Sequence, residues 1–171
     1  MRILLCDRLL STGPAAGTVV ANMQNFLESI GHKTEQILLP YVDKVALAPQ
    51  QLMAFRLMTF AHTADCMIVF GAPLHVLRHP KKYIWCCNEP GSMLADAGGR
   101  TAEWLATSSR NGFGEAIAVH ASTPSRQHQL KSLGIDASHL PLPDADDAIT
   151  SMSHVVDQLL PQRALDAAVA P

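Results

Sequence analysis

The chain has 171 residues, with 15 acidic side chains against 13 Lys and Arg, a formal net charge of -2. That balance gives no general attraction to nucleic acid, and the length suits one domain that buries a full core without metal or disulfide support. Charged residues make up 16% and hydrophobic ones 48%, fewer charges than the roughly 25% of an average globular domain. Either an Ala-rich surface spreads that deficit, or an apolar patch meets another domain, subunit or membrane.

The opening run, residues 1–6, is apolar on both alternations, as in a strand covered on both faces. Asp7-Arg8 breaks it, and a loop runs to Gly17. The spacing then predicts a helix over 18–30, with Val19, Met23, Phe26, Leu27 and Ile30 inside and Gly31 as its stop. Strands are expected over 34–39, 66–70 and 83–87, and a fifth within 115–120, with a short extended segment at 135–142. Helices are expected over 50–62, 93–108, 123–133 and 146–160; Thr123-Pro124-Ser125 is a strong helix start because the hydroxyl caps free backbone donors. Strands alternating with helices imply a doubly wound parallel sheet, a three-layer Rossmann-like α/β domain over residues 1–160. Residues 161–171 read as a poorly specified tail.

All the cysteines (Cys6, Cys66, Cys86 and Cys87) lie in apolar strand-like runs with no C-x-x-C pair, so buried free thiols in a reducing compartment are expected. The apolar start is too short for a signal peptide, and no apolar run reaches membrane-spanning length. A cytoplasmic location follows as the expectation, with peripheral contact to a membrane compatible with the low charge.

In a doubly wound sheet, ligands sit at the carboxyl ends of the strands, and the polar residues there are the candidates. Gly13-Pro14-Ala15-Ala16-Gly17 precedes the first helix, where backbone donors and the helix terminus favour phosphate. It is neither G-x-G-x-x-G nor a P-loop, so it specifies no nicotinamide or other permanent cofactor, and a plain strand-to-helix turn is the competing reading. His75 follows the third strand as a candidate general base, or as an ordinary surface-loop histidine. Arg78, His79, Lys81 and Lys82 form the only dense basic cluster, suited to phosphate or anionic lipid or simply to solvation. Asn88-Glu89 follow the fourth strand, where a carboxylate can take a hydroxyl proton; Pro90-Gly91 make the same stretch a turn. His120 and Ser122 follow the fifth strand. No H-E-x-x-H pattern, tight Cys/His/Asp cluster or G-x-S-x-G elbow occurs, so no metal site is expected. Trp85 and Trp104 suit a core or interface better than a stacking platform.

Several blocks together resemble the amino-terminal domain of the retaining glycosyltransferases built from two Rossmann-like domains, the sucrose synthase-like and lipopolysaccharide glycosyltransferase family. They are MRILLCDRLL before a glycine-containing loop, ANMQNFLESIGHKTEQILLP, ADCMIVFGAPLHVLRHPKKYIWCCNEPG, and AIAVHASTPSRQHQLKSLGIDASHLPLP. The likeness spans about residues 1–143. It implies a domain that binds the acceptor, while a second domain holds the nucleotide-sugar donor. On that resemblance Gly13 and Gly17 face the donor phosphate or sugar, and His75, Asn88 and Glu89 supply catalytic contacts. His120, Ser122 and Arg78 border the acceptor. Two departures stand out: Pro14-Ala15-Ala16 separates the loop glycines that many members pair, and Asn88 stands where a histidine often follows the fourth strand. The family's donor-binding basic pair and spaced glutamates have no counterpart here. The implied partners are therefore a carboxyl-terminal donor-binding domain, in cis or in trans, and a sugar or lipid-linked acceptor. A second copy of the chain is a further candidate partner. A non-catalytic binding or regulatory module, or a small flavodoxin-like protein that binds a phosphate-containing ligand, remain the alternatives.

Overall fold

The computed structural model describes residues 1–9, 16–87, 98–143 and 148–160. In chain order the elements are β1 (Arg2–Leu9), α1 (Ala16–Ser29), β2 (Lys33–Pro40), α2 (Ala48–Leu57), β3 (Cys66–Val69), β4 (Lys82–Cys86), α3 (Gly99–Gly114), β5 (Ala118–Ala121), α4 (Pro124–Ser132), β6 (Ser138–His139) and α5 (Ala148–Leu159). Single 3-10 turns, Val45–Leu47 and Leu74–Val76, precede α2 and β4. The strands form one sheet in the order β2-β1-β3-β4-β5-β6, every pair parallel. This is a Rossmann-like α/β domain.

Alternation along the strands sorts the core into two layers. Leu4, Cys6, Met67, Val69, Ile84 and Cys86 pack with Leu52 and Phe55 of α2, Leu105 and Phe113 of α3, and Leu130 of α4. Ile3, Leu5, Ile68, Tyr83 and Trp85 face the other way, onto Val20, Met23 and Leu27 of α1 and Met152, Val155 and Leu159 of α5. With both faces covered, β3 and β4 are buried at every position, which is why they read as unbroken apolar runs.

Three boundaries depart from the sequence expectation. β1 does not stop at Cys6: Asp7, Arg8 and Leu9 continue in register with Leu38, Leu39 and Pro40 of β2. α2 ends at Leu57 because Thr59 leaves the helix to bridge Arg78. α3 runs through Asn111-Gly112 to Gly114, six residues beyond the expected end. There Gly112 serves packing: a Cβ at this position would meet Cδ2 and the carbonyl of His75 and Cα of Val76, each at 3.0 Å. The missing side chain lets α3 press directly onto the 74–76 turn.

Polar groups tie that contact together. Lys82, with no exposed surface, extends its ammonium to the carbonyls of His75 (2.7 Å), Leu77 (2.9 Å) and Gly112 (2.7 Å). All three of its donors are thus used. Glu115, 3.8 Å from that ammonium, also forms a two-pronged ion pair with Arg56 at the end of α2. Burial lowers the Lys82 pKa to about 8, with Glu115 acting against and Arg56 with the shift.

Candidate functional site

The strand order reverses direction at β1: the chain passes to β2 on one side, then crosses to β3 on the other. In open parallel sheets a ligand crevice forms at such a reversal, outside the carboxyl ends of the strands. Here that edge is built from Asp7 and Arg8 at the end of β1, the turn after β3, Cys87 after β4, and the Ser122–Arg126 corner between β5 and α4. Gly71 makes the turn after β3 at φ +101°, a conformation side chains disfavour.

Asp7 and Arg8 point to opposite faces because the strand persists through them. Asp7 falls on the α1/α5 face with Ile3 and Leu5 and is 3% exposed. Burial raises its pKa, while the Arg8 backbone N–H, donating to Oδ1 at 2.8 Å, and the Arg8 charge oppose the shift. Arg8 falls on the α2 face, its guanidinium 6.0 Å from the centre of the Tyr41 ring. The Tyr41 hydroxyl in turn donates to Asp43 at 3.2 Å, and the Arg8 Nε is buried with no acceptor.

At the other end of the edge, Thr123 caps α4 by accepting the backbone N–H of Arg126 at 3.2 Å. The Arg126 guanidinium folds back and donates to Ser122 Oγ at 2.7 Å, and that hydroxyl donates to the Cys86 carbonyl at 3.0 Å. The Arg126 Nε has no acceptor either. A cation in the first turn of a helix stands against the helix dipole, and the capping pattern favours Glu or Gln at this third helical position. Cys87, after β4, lies at the same edge, and its thiol is sensitive to both charges. Burial chiefly raises that thiol's pKa, helped by Cys86 and Asp7 and opposed by Arg126. The edge therefore offers a protonable carboxyl, a hydroxyl and two guanidiniums, groups suited to holding sugar hydroxyls and an anion.

The residues singled out from sequence fall in different places. Ser122 sits at the carboxyl edge as expected, buried and bonded as above. His120 lies inside β5, 6% exposed, with Nδ1 2.8 Å from Ser138 Oγ and a buried Nε2 without partner; burial lowers its pKa. It is part of the sheet rather than of an open cleft wall. Gly17 is the second residue of α1, whose amino end follows β1. Gly13, Asn88 and Glu89 lie outside the described residues.

Three expectations need correction. His75 does not line a cleft or a surface loop: it is 1% exposed, stacked on Phe113 with ring centres 4.4 Å apart, and neither ring nitrogen has a partner. Burial, with the Lys82 ammonium adding to it, holds its pKa down to about 3. The reason is topological, since the short connection from β3 to a parallel β4 must cross the sheet face, and His75 lies mid-crossing beneath α3. Arg78 lies at the opposite end of the sheet from the carboxyl edge, just before β4 begins and beside Thr59. The basic cluster also fails to form a patch. Lys82 is interior, and His79 is 7% exposed, with Nε2 3.2 Å from the Ala64 carbonyl and Nδ1 accepting from the Lys81 backbone.

Asp7, Arg8 and Arg126 were not singled out from sequence. Their signals were present: charges placed where an apolar run had already begun a strand, and an arginine where a helix start calls for an acid or amide. Among the described residues no group of three His, Cys, Asp or Glu side chains is placed to hold a metal ion. No described helix is long and apolar enough to cross a membrane. No known protein family matches the chain, and no curated protein is significantly similar to it in sequence.

Proposed function

We propose that the chain is the acceptor-side domain of a sugar-transferring enzyme, active with a donor-binding domain supplied in cis or in trans. The observation that carries the reading is the carboxyl edge at the β1 reversal. It carries a buried carboxyl, Asp7, at the end of β1 and a Ser122-anchored guanidinium, Arg126, in the first turn of α4. Such an edge can orient an acceptor hydroxyl and an anionic neighbour, with Asp7 accepting a hydroxyl proton and Arg126 balancing charge on the acceptor. The blocks that resemble two-domain retaining glycosyltransferases add to this reading, and in sequence Asn88 and Glu89 directly follow Cys87.

The test is reconstitution. The purified chain is mixed with candidate donor-binding domains and assayed for transfer from nucleotide-sugars. Transfer should require both proteins and fall at least tenfold in Asp7→Asn and in Arg126→Gln. Transfer by the chain alone, or full activity in both variants, overturns the reading.

The strand order favours a second reading. An order of 2-1-3-4-5 is that of flavodoxin-like proteins, which bind a phosphate-bearing flavin at the β1/β3 reversal. A protein that purifies yellow, or that takes up flavin mononucleotide with quenching of its fluorescence, would establish this alternative and remove the first.

A further inference from the structure

A groove of about 840 Å³ runs along the outer surface between α2 and α3. Its walls are Met53, Ala54 and Leu57 of α2 and Trp104 of α3. Met53 is 49% exposed, Leu57 77% and Trp104 37%. Leu47 and Met58, at the two ends of α2, extend the apolar surface. In a protein this low in charge, so much accessible apolar area in one place marks a binding surface.

The direction of the groove tells what it takes. α2 follows β2 and ends beside Arg78, and α3 ends beside the start of β4, so both helices run opposite to the strands. Their amino ends, with Pro49, Gln50, Arg100 and Thr101, therefore open at the carboxyl edge. Among the described residues Arg100 is the only charged one lining the groove, and it stands at that mouth, in the first turn of α3. The site is an apolar slot with one cation at the end nearest the proposed acceptor edge. A two-fold contact between copies centred on the groove would set Arg100 near its own copy, with no acid among the described lining residues to separate them.

We propose that this groove holds the hydrocarbon chain of an anionic lipid whose headgroup lies at the carboxyl edge beside Arg100, so that the acceptor is lipid-linked. The inference rests on the acceptor-side reading for the word acceptor, but not for the binding itself. The chain packs on Met53, Leu57 and Trp104, and the headgroup charge is met by Arg100 and the positive end of α3.

Trp104 reports occupancy directly, because Trp85 is fully buried and gives a constant background. The full chain is titrated with n-dodecyl phosphate below its micelle concentration, with n-dodecyl maltoside and inorganic phosphate as comparisons. A saturable blue shift is expected with dodecyl phosphate, weaker binding with the maltoside, and no shift with phosphate. Trp104→Phe should abolish the signal. Leu57→Glu, at a position open enough to keep the fold by circular dichroism, should weaken binding at least tenfold, and Arg100→Gln should weaken the phosphate more than the maltoside. Absence of a shift, or equal affinity in Leu57→Glu, overturns the proposal. So does a shift that follows protein concentration together with dimers in sedimentation, which would give the groove to a second copy. Failure here and failure of the parent reading are separable. Transfer to a soluble sugar without dodecyl phosphate binding sinks only the lipid; binding without transfer by any reconstituted pair sinks only the enzyme.

Discussion

His75→Leu isolates the cost of an interior histidine. The ring is stacked on Phe113, both nitrogens lack partners, and its pKa is held down to about 3. In the unfolded chain the same side chain titrates near 6.5. A pKa lower in the folded state means that the unfolded state binds more protons between these values. The stability is therefore fully present above pH 6.5 and is lost as the pH falls toward 3. At about 1.4 kcal/mol per pH unit, bringing the protein from pH 7 to pH 5 costs about 2 kcal/mol through this residue alone. Leucine cannot titrate and leaves no unpaired nitrogen, so the variant should match or exceed the wild-type stability at pH 7. Its advantage should grow by about 2 kcal/mol at pH 5. Urea unfolding of both proteins at pH 7, 6 and 5 gives the difference. A difference that stays constant with pH would refute the reasoning, since it requires His75 to titrate alike in the folded and unfolded chain. A large loss of transfer in a reconstituted enzyme, at unchanged stability, would restore His75 as a chemical group.

Other perturbations test the remaining contacts. Lys82→Met strips three buried carbonyls of their donor and should cost about 3 kcal/mol or more by urea unfolding; a loss under about 1 kcal/mol would mean that water replaces the ammonium. Gly112→Ala forces a Cβ within 3.0 Å of His75 and Val76 backbone atoms, and a loss of about 1–3 kcal/mol is expected from overpacking, read as a lower melting temperature. Thr123→Ala removes the cap of α4 for about 1 kcal/mol, read as a lower urea midpoint. Burial lifts the Cys6, Cys66 and Cys86 thiols to about 12, so a thiol reagent at pH 8 should react only slowly until urea is added.

The sheet was legible because β3 and β4 are covered on both faces and therefore carry uninterrupted apolar sequence. The α4 start was legible because Thr123-Pro124 satisfies helix-terminus chemistry locally. What was hidden depended on tertiary contact. Asp7 looked like the end of a strand, since a charge in an apolar run usually is; pairing with β2 carries the backbone past it and buries the side chain. The helix expected to end at 108 continues to Gly114, because the 74–76 turn leaves room for it only where Gly112 lacks a Cβ. The basic cluster was misread for the same reason. Spacing along the chain put Arg78, His79, Lys81 and Lys82 together, but Lys82 is the first residue of a buried strand whose side chain finds three carbonyls that no sequence pattern announces.

The polar groups divide unevenly between the two ends of the sheet, and the division argues for where function lies. Toward the amino end, Lys82 uses all three donors on carbonyls and Arg56 is matched by Glu115. Toward the carboxyl end, the buried Nε groups of Arg8 and Arg126 have no acceptor, although each such omission costs about 1–3 kcal/mol. His75 shares the lack of partners, but as a neutral ring it escapes most of the penalty of a charge. A guanidinium has no such escape, because it stays protonated. The two buried Nε groups at the carboxyl end are what the anion of the proposed acceptor would complete. That is also the end where the α2–α3 groove opens.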